Sequence, residues 1–161
     1  MSKVINEKMA AEIEGDFVVF LIGMRINNVL NIRQWLPVSM AMPKMLKELE
    51  QHPDMGLLGY RIHFGFPNIL VLQYWRSLEH LTAYATNKDA EHVPTWAAFY
   101  RRISRSKGVG IWHETYCVAA GQYEAIYYNM PAYGLGKVGT LVPAVGHRAT
   151  AAGRIKTSTE V

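Results

Sequence analysis

The sequence predicts an α+β fold with the element order β-α-β-β-α-β. Three observations carry it. Four segments, Phe17–Asn27, Leu57–Phe64, Ile69–Trp75 and Gly108–Val118, are rich in β-branched and aromatic residues. Two longer segments place apolar residues three and four positions apart, as helices do. Between them stand turn residues, including Gly65-Phe66-Pro67-Asn68 between the second and third strands.

Taken in order, residues 1–15 are polar and read as a flexible arm. The run Phe17–Met24, “FVVFLIGM”, is apolar on both faces and suits a central strand covered on both sides. Asn28–Asn31 reads as a turn. Ile32–Glu50 is helical, with Trp35, Leu36, Met42, Met45, Leu46 and Leu49 as its buried stripe. Pro37 fits near its first turn, and Pro43 is expected to kink or split it. His52-Pro53-Asp54 ends it. After the hairpin, Ser77 is a candidate N-cap, with His80 where a capping box would have glutamate or glutamine. The second helix starts at Leu78–Tyr84, is interrupted by “ATNKDAEHVP”, and resumes over Thr95–Ser106. The fourth strand, “GVGIWHETYCV”, is read as continuing toward Tyr123–Tyr128. From Pro131 the Gly-, Ala-, Val- and Thr-rich sequence has no period.

This order is the ferredoxin-like split βαβ arrangement, a four-stranded antiparallel sheet with both helices on one face. The expected organisation is an arm over 1–15, the α+β domain over 16–130 and an extended tail over 131–161. The uncovered sheet face would be too large an apolar patch for a monomer, so a homodimer joined face to face is expected.

Composition narrows the function. The chain has 161 residues and a formal charge of +4, with Arg101, Arg102, Arg105 and Lys107 as its one basic cluster. A nucleic-acid binder shows a denser basic stripe, so no nucleic-acid partner is expected. The apolar run at Phe17 is far shorter than the roughly 20 residues of a membrane span, and the charged N-terminus has no secretory pattern. With a single cysteine, Cys117, these features predict a cytoplasmic protein without disulfides. Gly134-Leu135-Gly136-Lys137-Val138-Gly139 fits G-x-G-x-x-G, but “NMPAY” precedes it, Pro143 follows shortly and the rest of the chain has no βαβ unit of that type, so no nucleotide cofactor is expected. The six histidines contain no H-x-x-x-H pair, so no metal site is expected either.

Three stretches, “YWRSLEHLTAY” with His92 and “TWAAFYRR” behind it, “GIWHETY”, and “YEAIYYNMPAYGLG”, resemble the antibiotic-biosynthesis-monooxygenase superfamily of dimeric α+β barrels. Their combination is similar to the branch named for a small monooxygenase-like protein of fungal fumagillin biosynthesis, over roughly residues 16–140. Members of the wider superfamily oxidise polycyclic phenols without a cofactor, degrade haem, bind haem for aldoxime dehydration, or do none of these. The resemblance therefore implies a small dimeric monooxygenase-like enzyme acting on an apolar or aromatic molecule, with no cofactor or with haem. Its alternative is a haem- or hydrophobic-ligand-binding protein of the same fold.

Strand alternation nominates the side chains. Arg61 and His63 share one face of their strand, Gln73 and Trp75 one face of theirs, and Arg25 lies with Gly23 and Leu21. A face so polar is assigned to the cavity beneath the helices rather than to a dry interface. His113 and Glu114 point to opposite sides and cannot act together. Trp112, Glu114 and Tyr116 are assigned to the helical side, where the carboxylate could pair with Arg25 or Arg61. In the cofactor-free mechanism His92 or His63 takes a phenolic or enolic proton. Arg61 and Gln73 hold the anion, and Trp75 and Trp96 exclude water. His92 carries two other readings, a loop histidine capping carbonyls and a haem ligand. The second follows from its resemblance in position to the iron-binding histidine of haem-degrading members. Their first-strand asparagine has no counterpart here, where Gly23 or Arg25 stands.

Overall fold

The structure is a computed structural model that describes residues 3–87 and 107–155. In chain order its strands and helices are β1 (Ile5–Glu12), β2 (Phe17–Ile26), α1 (Ile32–Gln51), β3 (Leu57–Phe64), β4 (Asn68–Trp75), α2 (Leu78–Thr86), β5 (Val109–Val118), β6 (Ile126–Met130), α3 (Leu135–Val138), β7 (Thr140–Pro143) and α4 (Ala151–Arg154). Two compact units result, Val19–Tyr116 and a second formed by Met1–Val18 with Cys117–Val161.

The first unit holds the expected α+β arrangement. Its four-stranded sheet has the order β3-β4-β2-β5. Strands β2 and β3, joined through α1, thus flank β4, which is the split βαβ arrangement. The amide of Ile26 donates to Pro67 O at 2.9 Å and that of Asn27 to Gly108 O at 2.9 Å. These bonds tie the end of β2 to the starts of β4 and β5, as antiparallel neighbours require.

Local chemistry accounts for the connections. Ser77 Oγ accepts from the His80 amide at 3.3 Å, and the His80 ring nitrogen Nδ1 lies 2.9 Å from the same oxygen. Histidine thus stands where a capping box would place glutamate, and the N-cap half of the box is made. Gly56, at φ +89°, follows a 3₁₀ turn over Pro53–Met55; a Cβ there would fall 2.4 Å from the His80 ring, so no other residue fits. Helix α1 runs unbroken with Pro37 and Pro43 inside it, so the expected split at Pro43 does not occur. Its buried residues are Met45, Leu46 and Leu49, whereas Leu36 is 45% exposed and leaves the expected stripe. No helix among the described residues is long and apolar enough to cross a membrane.

The second unit departs most from the sequence reading. Residues 5–12, read as an arm, form the middle strand of a three-stranded sheet of order β6-β1-β7. Met9, Ala10 and Ala11 are its buried residues, and Met9 pairs with Tyr127 on one side and Pro143 on the other. The segment read as an extension of β5 is the separate strand β6, and the tail supplies α3, β7 and α4. Phe17 and Tyr123 meet edge-on at 5.3 Å, and the Tyr123 hydroxyl both accepts from Ile13 N and donates to Ile13 O. Ion pairs Arg148–Glu12, at 2.5 Å, and Arg154–Glu124 fix the ends. The second-helix segment Thr95–Ser106 lies outside the described residues.

Leu46, 1% exposed, anchors α1 to the sheet. Leu46→Ala is expected to destabilise the protein by about 2–5 kcal/mol, read from the midpoint of urea unfolding.

Candidate functional site

Within the Val19–Tyr116 unit, a cavity of about 150 Å³ lies between the sheet and helices α1 and α2. Its floor is alternate residues of three strands: Phe20, Ile22 and Met24 from β2, Ile62 and Phe64 from β3, and Ile69, Val71, Gln73 and Trp75 from β4. Ile111 of β5 completes it. Met42, Met45, Leu46 and Leu49 of α1 and Leu81, Tyr84 and Ala85 of α2 close it. Phe64, 81% exposed, marks its mouth.

The β3–β4 register decides which polar residues reach this space. Tyr60 stands opposite Gln73, Ile62 opposite Val71 and Phe64 opposite Ile69. Directly opposed residues share a face, so these are the helical-side pairs. Arg61 stands opposite Leu72 and His63 opposite Leu70, on the other face. The expected grouping of Arg61 and His63 with Gln73 and Trp75 is therefore corrected. Each strand alternates as read, but the register offsets their phases by one residue.

The fourth-strand assignment is reversed for the same reason. Ile111 lines the cavity, and His113 follows on the same side, its ring 5.7 Å from that of Phe20. Trp112 lies against Gly23 on the opposite face, where a Cβ would fall 2.5 Å from the indole; glycine is what allows that approach. Arg25 shares this outer face with Gly110, so Arg25, Arg61, His63, Glu114 and Tyr116 all stand away from the cavity. The Tyr116 hydroxyl donates to Glu114 Oε2 at 2.6 Å, a bond that pushes the tyrosine pKa up. His92 and Trp96 lie outside the described residues.

Gln73 and Trp75 are the two nominated side chains that the cavity brings together. Trp75 is 1% and Gln73 4% exposed, and the indole Nε1–H donates to Gln73 Oε1 at 2.8 Å. An indole nitrogen only donates, so the carboxamide oxygen must face it and the NH2 group must face the other way. That group meets the thioether of Met42 at 4.0 Å, a weak acceptor. The cavity is thus largely apolar, and Gln73 presents it with an oriented N–H donor. Tyr84, not nominated from the sequence, adds a second polar wall: its ring lies 5.9 Å from that of Trp75 and its hydroxyl donates to Glu48 Oε2 at 2.9 Å. Glu48 and Tyr84 sit at helical positions indistinguishable in sequence from ordinary solvated ones. On the same sheet face as Gln73, Tyr60 donates to Glu50 at 2.8 Å, and burial, reinforced by Glu50, raises its pKa.

No histidine or cysteine among the described residues lines the cavity, and His92, the histidine expected as a haem ligand, lies outside them. The described residues also contain no cluster of three or more histidine, cysteine or acidic side chains able to hold a metal.

A family model described as monooxygenase af470-like matches residues 17–135. No curated protein matches the chain significantly. Among solved structures it is similar to SnoaB, a cofactor-independent oxygenase from Streptomyces nogalater, at 9% identity and TM-score 0.46, covering 63% of this chain and 91% of that one. Rv0793 from Mycobacterium tuberculosis gives 12% identity and TM-score 0.44, over 60% and 92%. A dimeric protein of unknown function and ferredoxin-like fold from Bacteroides fragilis NCTC 9343 gives 12% and 0.43, over 62% and 96%. Likeness at this level carries no chemical conclusion.

Removing either partner of the buried indole–carboxamide pair strands the other. Trp75→Phe and Gln73→Met are each expected to destabilise by about 1–3 kcal/mol, and the double variant by less than their sum. A double-mutant cycle in urea checks this.

Proposed function

The chain belongs to the monooxygenase af470-like family, and on that premise we propose that its cavity binds a small aromatic molecule carrying an acceptor oxygen and oxidises it with dioxygen, without haem or an organic cofactor. The observation that carries this reading is the Gln73 carboxamide, 4% exposed and turned so that its N–H edge is the donor offered to an apolar space. A fixed donor in a dry site is worth most where negative charge develops on oxygen. It would favour the phenolate or enolate of a bound ring over its neutral form.

Such an anion is electron-rich enough to give one electron to dioxygen. The resulting carbon radical and superoxide combine into a carbon–oxygen bond, and loss of water leaves a carbonyl. One oxygen atom stays on the product, the other leaves as water, and no outside reductant is consumed. Trp75, Met45, Leu46 and Leu49 would keep water from the radical pair. Of the two bases expected, His63 stands on the outer face, which leaves His92 to take the ligand proton. The single cysteine supports a reducing, cytoplasmic setting.

The outer sheet face would pack on a second copy of the chain. Trp112 is 38% and Tyr116 50% exposed there, beside the half-buried Leu70, Leu72 and Tyr74. Arg25, Arg61, His63 and Glu114 would then serve assembly rather than chemistry.

Binding and chemistry test separately. Gln73→Met should weaken acetophenone by about threefold to tenfold and leave ethylbenzene unchanged, measured by calorimetric titration. Equal effects on ketone and hydrocarbon contradict the donor role. Oxygen uptake with phenols and enolisable aryl ketones, without added flavin or metal, is the expected activity; none with ligands that do bind overturns the oxygenase step. For assembly, wild type should sediment as a dimer and Trp112→Arg as a monomer.

A further inference from the structure

The cavity opens onto an apolar surface. Leu36, Ser39, Met40 and Pro43 fall three and four positions apart on α1 and so share one helical face. Ser39 and Pro43 line the cavity, whereas Leu36 and Met40 are exposed, and Ile32 extends the exposed stripe by one turn. Across the mouth, Phe64 both lines the cavity and stands in solvent, and Phe66 of the β3–β4 turn is 75% exposed. The turn before α1 adds Val29 and Leu30, the latter 89% exposed. Hydrogen bonds join these pieces: Ile26 N donates to Pro67 O at 2.9 Å, and Trp35 Nε1 donates to Val29 O at 3.1 Å. Seven exposed apolar side chains thus gather at one end of the Val19–Tyr116 unit, a larger patch than a water-facing surface ordinarily leaves bare.

Charge indicates what covers them. Residues 17–47 and 57–78, which carry the whole patch, contain no aspartate or glutamate. Arg33, Lys44 and Lys47 are exposed on α1 and continue the same spacing, at 33, 36, 40, 44 and 47, along the flank of the stripe. Lys107 is exposed beside the turn, where its carbonyl accepts from Asn27 Nδ2 at 3.0 Å. A twofold contact between copies through this patch would set cations against cations. An apolar stripe with a cationic border instead suits a lipid surface, with side chains in the acyl boundary and the cations on anionic headgroups.

We propose that this end of the Val19–Tyr116 unit docks on an anionic lipid surface, with Leu30, Phe66 and the Ile32, Leu36 and Met40 stripe inserted at the acyl boundary. Helix α1 is not apolar enough to cross the membrane and lies along it. Because the mouth opens within the patch, an apolar ligand passes from the bilayer to the cavity without entering bulk water. That passage rests on the proposed ligand site; the docking does not.

The test is cosedimentation of the full chain, without added ligand, with vesicles of mixed phosphatidylcholine and phosphatidylserine and with vesicles of phosphatidylcholine alone. Wild type should pellet with the mixed vesicles and much less with the neutral ones. Leu30→Ser combined with Phe66→Ser, which removes apolar surface but no charge, should weaken binding to the mixed vesicles about tenfold or more. Arg33→Gln should weaken it about fivefold. Arg76→Gln, at the opposite end of β4 from the Phe66 turn, should leave it near wild type. Leu30→Trp gives a second reading, since its fluorescence should shift to the blue on the mixed vesicles. No wild-type binding, binding untouched by the Leu30 and Phe66 pair, or a Leu30→Trp spectrum that stays put overturns the docking. Equal losses from Arg33→Gln and Arg76→Gln also overturn it, because they mark attraction by overall charge. A wild type that ignores vesicles and an oligomer that the serine pair dissociates assign the patch to a second copy instead. Each of these outcomes leaves the ligand site in the cavity to its own titrations.

Discussion

A polar group inside an apolar chamber must be paired or it destabilises the fold, and the indole–carboxamide bond between Trp75 and Gln73 satisfies that constraint. Both residues lie on the helical side of β4, two positions apart, so the bond is made within one strand and needs no distant partner to hold it. Because the indole can only donate, one hydrogen bond also sets the direction of the carboxamide. The rest of the cavity follows from that orientation: aliphatic and thioether side chains fill the space around it, and its donor edge is left for whatever enters.

The register between β3 and β4 is the second determinant. Opposing Tyr60 with Gln73 sends Ile62 and Phe64 toward the helices and Arg61 and His63 to the outer face. A slip of one residue would exchange those sets, placing two cationic or titratable groups beneath α1 and aliphatic ones outside. The same sorting on β5 turns Ile111 and His113 inward and puts Trp112 on Gly23. The cavity side is thereby apolar around the oriented Gln73 carboxamide, and charged and exposed aromatic side chains stand on the outer face.

Most of the α+β unit was legible in the sequence because its signals are local. β-Branched runs, three-and-four spacing and the Gly-Phe-Pro-Asn turn place β2 through β5 and helices α1 and α2 within a residue or two of their observed ends. Phase between strands was not legible. Alternation fixes which residues of Leu57–Phe64 share a face, but the pairing that aligns them with Asn68–Trp75 is a property of the sheet. The β6-β1-β7 sheet was hidden for a related reason: Ile5–Glu12 alternates poorly, and its partners lie more than 110 positions along the chain in a Gly- and Ala-rich segment. Gln73 and Trp75 share a face as alternation along one strand predicts, a local signal, whereas their expected grouping with Arg61 and His63 depended on the register and is not kept. Glu48 and Tyr84 were missed because a glutamate and a tyrosine 36 positions apart on two helices give no joint signal.

The most direct measurement is the side-chain amide resonance of Gln73 in isotope-labelled protein, followed as acetophenone is added. A ligand oxygen accepting from Nε2 in place of the Met42 thioether shifts the amide protons downfield, and the same titration with ethylbenzene leaves them where they were. Binding of acetophenone with the Gln73 resonances unmoved would contradict the role of the oriented carboxamide.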